Sequence, residues 1–406
     1  MRNFSFRLRT VKTVRCFVTA IVLGLGSSGL MAQTISKQPN VDGANQPLAI
    51  ETASVAELNT DKSSMVFLPD LTSGHLLDTR VHVVDGKSMK FLGIIPTGMV
   101  GLFTVNPVRD ELYVATTYLS RGTRGKRTDV VEVYSAKNLR LLEEIEILPK
   151  RAQAVPYASY LKTSRDGNLL YVQNITPASS IVVIDIATRR VISEIETSGC
   201  AGIYPSPSAL RFSTLCGDGA AVTVTLDNDG KELSRTRSNR LFDPSKDPVF
   251  ISGAATEKGF MFISFNGTIH EVDLSGPTAI HNGSWSLLSG TEKDTGWRPG
   301  GYQTIAFDQV SKELFVTMHA DGKEGSHKRP SDEIWRIDTQ NRKVTERIPS
   351  FKSVSLGVTQ GEKPALFALN GETGGLIKFK VDRTIKQVNK LDAPLVEGPT
   401  TLIMPQ

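Results

Sequence analysis

Along most of the chain, a short run of alternating apolar and polar residues ends in a tight turn, and a second alternating run follows. The run recurs as RVHVVDGKSMKFLGII (80–95), VVEVYSAKNLRLLEEIEI (130–147), SIVVIDIATRRVISEIE (180–196), AVTVTLDNDGKELSRT (221–236), TIHEVDLSGPTAIHNG (268–283), EIWRIDTQNRKVTERI (333–348) and LIKFKVDRTIKQVNKL (376–391). A period of two gives a strand one inward face. The residue before each turn is Asp85, Ser135, Asp185, Asp227, Asp273, Asp338 or Asp382. An Asp there accepts from backbone amides just ahead and sets the turn. Each copy therefore predicts a β-hairpin.

A further apolar run precedes each hairpin: SSMVFLPD (63–70), DELYVATTYL (110–119), GNLLYVQNI (167–175), RFSTLC (211–216), GFMFISF (259–265), KELFVTM (312–318) and PALFALN (364–370). With one more short strand per unit, every repeat becomes a four-stranded sheet. The markers before the turns are 50, 50, 42, 46, 65 and 44 residues apart. That spacing and layout predict an all-β fold, a seven-bladed β-propeller with four-stranded blades over residues 59–406. A β-sandwich array explains the strands but not the single repeated hairpin. The long interval carries SWSLLSGTEKDTGWRPGGYQ and HADGKEGSHKRPSDE, which insert as loops on one face of the disc.

The first residues do not share this pattern. Arg2, Arg7, Arg9, Lys12 and Arg15 precede the apolar run FVTAIVLGL (17–25), and small residues follow up to Ala32. This is the layout of an export signal over residues 1–32, and the run is short for a stable membrane anchor. The alternative is an uncleaved anchor. Residues 33–58 are polar and aperiodic and read as an N-terminal arm, disordered or docked on a partner. The net charge of +5 equals the five cations of residues 1–32, which hold no Asp or Glu, so the mature chain is neutral. A nucleic-acid binder is not supported. Cys16 leaves with the signal, and Cys200 and Cys216 remain as an even pair. A bridge between them would contribute about 3 kcal/mol by loop entropy, and their spacing is not that of zinc ligands.

Catalytic signatures are scarce. The six histidines (His75, His82, His270, His281, His319, His327) show no zinc-protease spacing, and there is no nucleophile elbow or phosphate loop. CGDG (216–219) reads as a turn beside a cystine. SRGTRGKRTD (120–129), with Arg121, Arg124, Lys126 and Arg127, is either a solvated hairpin end or a docking surface for an acidic partner. GWRPGGYQ (296–303), with Trp297, Arg298 and Tyr302, is either blade packing or an interface anchor. His327 sits in a polar loop ahead of a strand.

TTYLSRGTRGKRTDVVEVY (116–134), CGDGA (216–220), SWSLLSGTEKDTGWRPGGYQ (284–303) and HADGKEGSHKRPSDEIWRID (319–338) resemble the heavy chain of the quinoprotein amine dehydrogenases. The match is closer to aromatic amine dehydrogenase than to methylamine dehydrogenase, and it runs from about residue 60 to the C-terminus. The resemblance implies a periplasmic seven-bladed propeller without a metal, cofactor or catalytic residue of its own. It implies pairing with a small light chain in an α2β2 assembly. That light chain carries tryptophan tryptophylquinone and a catalytic aspartate, oxidises primary amines to aldehyde and ammonia, and passes electrons to a blue copper protein of azurin or amicyanin type. Trp285, Trp297 and Trp335 are then not cofactor precursors.

Cys200 and Cys216 match a heavy-chain disulfide of the family. Arg121, Arg124, Lys126, Arg127, Trp297, Arg298, Tyr302 and His327 become candidates for the partner interface. In the aromatic-amine enzymes a Phe before Arg-Val-His-Val helps line the substrate channel. Here LPDLTSGHLLDTRVHV (68–83) puts Ser73 at that position, with Leu71, His75, Leu76 and Leu77 as the remaining candidate wall. Channel width then leaves aromatic and aliphatic amines both open. The alternative function is a free-standing periplasmic propeller, either a lactonase-like hydrolase or a binding or assembly protein.

Overall fold

The computed structural model describes residues 55–207, 210–361, 363–391 and 394–405. The expected export signal and most of the expected arm lie outside the described residues. The described end of the arm meets the body at Leu58, whose amide donates to the Lys137 carbonyl at 2.6 Å.

The described chain forms seven antiparallel sheets in sequence order, the seven blades of a β-propeller. The second blade is typical. Leu102–Val105 lies innermost, and Glu111–Arg121, Arg124–Ser135 and Leu141–Ile147 follow outward. The sixth blade has two inner pieces, Arg298–Pro299 and Ile305–Asp308, both paired with Glu313–His319. Residues 300–304 separate these pieces, and the short helix Gly290–Asp294 of the insertion precedes both.

The first blade draws only three strands from its own repeat: Met65–Asp70, Arg80–Asp85 and Lys90–Pro96. Its innermost partner comes from the other end of the chain. Phe67 pairs with Ile403 and Asp70 with Pro399. The Phe67 and Ile403 amides and carbonyls exchange two hydrogen bonds of 2.9 Å. The C-terminal segment thereby closes the ring.

The core consists of seven apolar layers among the described residues, each shared by two neighbouring blades. Alternation within one strand decides which neighbour a side chain meets. Met65 and Phe67 pack toward the second blade, and Val66 and Leu68 toward the seventh. A strand buried on both faces carries a continuous apolar run, and Met65–Asp70 is buried at every position. The outermost strands have one neighbour less and are largely exposed, as in Leu141–Ile147.

The turn chemistry follows the expectation. The Asp85 carboxylate accepts from the Lys87 amide at 2.9 Å, Asp185 from Thr188 at 2.6 Å, and Asp338 from Gln340 and Asn341 at 2.9 and 3.0 Å. Burial pushes the Asp85 carboxyl up, but the Ser88 hydroxyl and the Lys87 and Ser88 amides hold it below the usual carboxylate range.

Cys200 and Cys216 form a disulfide between the first two strands of the fourth blade, where they are register partners. Replacing both by Ser should lower unfolding stability by about 3 kcal/mol through loop entropy. Thermal unfolding of the variant beside the reduced wild type checks this. The two should coincide, and a variant as stable as the oxidised protein would contradict the assignment.

Candidate functional site: the loop face of the propeller

In a four-stranded meander, the first and third turns lie at one end of the strands. The second turn and the crossover to the next blade lie at the other. Here the first end carries the short Asp turns and forms a turn face. The other end carries the segment after Asp70, the tip of the second-blade hairpin, and the long crossovers before the third, fifth and sixth blades. It forms a loop face. Every candidate residue of the sequence, 71–77, 121–127, 297–302 and 327, belongs to this face.

Segment 71–79 begins where the closed ring ends. The buried Asp70 accepts from the Glu397 and Gly398 amides at 3.1 and 2.7 Å. His82 Nε2 lies 3.4 Å and His75 Nε2 3.7 Å from Asp70 Oδ2, and His75 Nε2 lies 3.5 Å from Glu397. Burial pushes the Asp70 carboxyl up, but His82, both amides and the His75 charge outweigh it and hold it below the usual value. His75 thus pins one turn, Ser73–His75, to the ring closure. Ser73 itself is exposed. Leu76 and Leu77 are 39% and 40% exposed side by side, an apolar rim of the kind that a partner covers.

The basic segment 120–129 is strand for most of its length. It extends the second-blade hairpin, with Glu111–Arg121 and Arg124–Ser135 paired almost to the tip and Gly122 at a φ of 68°. Arg121, Arg124 and Lys126 are exposed. Arg127 is committed inward, with two bonds of 2.8 and 2.6 Å to the fully buried Asp129.

Asp129 also accepts from the Thr117 hydroxyl at 2.7 Å and the Arg151 amide at 3.2 Å. The buried Arg151 guanidinium donates to Thr117, to the Val100 and Ala152 carbonyls at 2.9 and 3.0 Å, and to the Met99 carbonyl. Burial lowers its pKa to about 10 against the pull of Asp129. This network roots the projecting hairpin in the body.

The motif 296–303 divides its roles. Trp297 packs on Trp335 with ring centroids 5.4 Å apart. The Arg347 guanidinium lies 4.6 Å from the Trp297 ring and 4.3 Å from the Trp335 ring. Glu333 accepts from both Arg347 and the Trp335 indole at 2.7 Å. Trp297 therefore serves blade packing. The Trp285 indole is likewise held, by Glu271 at 3.0 Å.

Gly301 has a φ of 126°, and a side chain there would meet the Val354 carbonyl at 2.4 Å. This close approach lets Gln303 donate to the Leu356 and Leu402 carbonyls at 2.6 and 2.8 Å. Arg298 and Tyr302 are half-buried, and Tyr302 borders the cavity on the propeller axis. His327 is exposed, and its carbonyl accepts from the Gly301 amide at 3.0 Å.

Sequence reasoning missed three features: the Asp70, His75, His82 and Glu397 cluster, the Asp129 and Arg151 network, and the axial cavity. The first joins residues more than three hundred positions apart. Only the alternation within RGKRTDVV hinted at the second. No group of three or more His, Cys, Asp or Glu suited to a metal ion occurs among the described residues.

Solved structures define the class of fold. The chain is similar to a dihydro-heme d1 dehydrogenase (TM-score 0.54, 15% identity, 87% of this chain and 77% of that one). It is also similar to a candidate 6-phosphogluconolactonase from Bacteroides fragilis (TM-score 0.56, 14% identity, 85% and 98%). At these identities they speak for the propeller alone.

The family follows from sequence: the description "Methylamine dehydrogenase heavy chain (MADH)" matches residues 63–404, and the chain belongs to that family. The methylamine dehydrogenase heavy chain of Methylophilus methylotrophus is 27% identical over 333 residues, 81% of each chain. That of Methylorubrum extorquens is 29% identical over 329 residues, 78% of this chain and 77% of the relative. The protein is thus a heavy subunit of an amine dehydrogenase, an oxidoreductase.

Replacing Asp129 by Ala would break its ion pair with Arg127 and leave the nearby buried Arg151 guanidinium without an opposing charge. The expected cost is about 3–5 kcal/mol, measured by urea unfolding, with Asp129→Asn losing less. A loss below about 1 kcal/mol in the Ala variant would contradict the role given to this network.

Proposed function

We propose that the loop face receives a small light chain carrying tryptophan tryptophylquinone, in a periplasmic α2β2 enzyme that oxidises primary amines to aldehyde and ammonia. The observation that carries this reading is the convergence, on one face, of the exposed Leu76 and Leu77 rim and the basic hairpin tip. Membership of the heavy-chain family supports it. The quinone, when bound in the partner, takes up the electrons of the amine. The tryptophans of this chain are held in packing or by glutamates, which fits a group built elsewhere.

This chain then walls the substrate path. Leu71, Leu76 and Leu77 exclude water and offer apolar contact, while Ser73 leaves width where a bulky side chain would narrow it. His75, tied to Asp70 and Glu397, sets the position of that wall. Arg121, Arg124 and Lys126 give the neutral mature chain a local positive patch for an acidic partner surface. Electrons leave through the light chain to a blue copper protein of azurin or amicyanin type.

Purification from the native periplasm, followed by mass and visible absorbance, tests the reading. A co-purifying small subunit with a visible band bleached by added amine is expected, and a lone colourless chain inert to amines would overturn it. In that complex, Ser73→Phe should change the ratio of kcat/KM for phenylethylamine and methylamine about tenfold or more. An unchanged ratio would remove residue 73 from the wall.

A further inference from the structure

The cavity on the propeller axis has a charge pattern that amine oxidation does not use. Its volume is about 240 Å³, and residues from all seven blades line it. Two of its lining side chains, Lys162 and Arg165, are cations, and none is Asp or Glu. Arg165 is partly occupied: its Nη2 donates to the Thr256 and Gly259 carbonyls of the fifth blade at 2.8 and 3.4 Å. Lys162 lies on the inner strand Leu161–Thr163, paired through its backbone with Tyr171, and its ammonium has no hydrogen-bond or ion-pair partner among the described residues. Ser159 and Ser252 also line the cavity, and their buried hydroxyls have no partner. Tyr204, Phe260 and Phe307 supply apolar wall.

A half-buried ammonium without a counterion is costly, and the cost falls when an anion arrives. Burial, and then the Arg165 charge, lower the Lys162 pKa to about 8. One free cation beside an aromatic wall suits a single negative charge on an apolar body. The volume lies below the roughly 300–1,000 Å³ of pockets for drug-sized ligands, so the guest is small.

We propose that the axial cavity binds a small organic monocarboxylate, its carboxylate on the Lys162 ammonium and the Ser159 and Ser252 hydroxyls, its apolar body against Tyr204, Phe260 and Phe307. The site lies inside the ring, with Ser159 and Ser252 contributed by crossovers of the loop face, and it does not depend on the amine-oxidation reading.

The test is calorimetric titration of the purified protein, in whatever assembly it is isolated, with sodium benzoate, neutral benzamide and inorganic phosphate at pH 7. Saturable benzoate binding is expected, with benzamide and phosphate at least about tenfold weaker. Lys162→Met should lose about tenfold or more, and Lys162→Arg should retain binding within a few-fold. Benzoate affinity of the wild type should fall about tenfold or more between pH 7 and pH 9.5, as the Lys162 ammonium loses its proton. The other charged or titratable groups lining the cavity are Arg165, Tyr157, Tyr204 and Tyr302. Burial holds Tyr157 and Tyr204 above the usual tyrosine range. If Lys162→Met does not fold, the contrast between benzoate and benzamide and the pH profile decide. No saturable benzoate binding, equal binding of benzamide, tighter binding of phosphate, or full affinity in a folded Lys162→Met variant would overturn the proposal.

Discussion

The pairing of the C-terminal segment with Met65–Asp70 is the constraint on which the rest of the structure depends. Each blade is apolar on both faces and has no core of its own, so it is stable only between two neighbours. An open ring would expose the Val66 and Leu68 face of the first blade and the Phe367 and Leu369 face of the seventh. Closure by the Phe67 and Ile403 hydrogen bonds buries both. Asp70 joins the closure through its side chain, accepting the Glu397 and Gly398 amides. That same carboxylate faces His75 and His82, so ring closure and the position of the proposed channel wall share one residue.

The division of the disc into two faces has a physical basis as well. The turns that follow the Asp markers are three to six residues long, and the Asp carboxylates hold the amides ahead of them, which keeps the turn face short. Length variation falls on the other ends of the strands, where the crossovers and second turns lie. The basic hairpin projects from this loop face and needs rigid anchorage, which Asp129, Thr117, Arg127 and Arg151 provide. The Trp297, Arg347 and Trp335 stack does the same for the inserted loop of the sixth blade.

The blades were legible in the sequence because their middle strands and Asp turns repeat in a form set by local chemistry. RFSTLC was read with its observed bounds, Arg211–Cys216. The inner strands were not legible individually: Ala254–Ala255 and Leu161–Thr163 are too short for a periodic signal. The closing segment has no copy elsewhere in the chain, so repetition did not reveal it. Residues 120–129 looked like a loop because charge and glycine masked an alternation that continues the strands. The axial cavity was hidden for another reason: its lining comes from seven separate blades, and only the closed ring shows that Lys162 has no carboxylate opposite it.

The central claim is that the loop face, and not the turn face, carries the partner. Hydrogen exchange of the propeller alone and in complex with its small subunit tests it most directly. The account predicts slowed exchange on complex formation in segments 71–79 and 120–127, with the turns at 85–90, 185–190 and 338–343 unchanged. Protection confined to those turns, with the loop face unaltered, would contradict it.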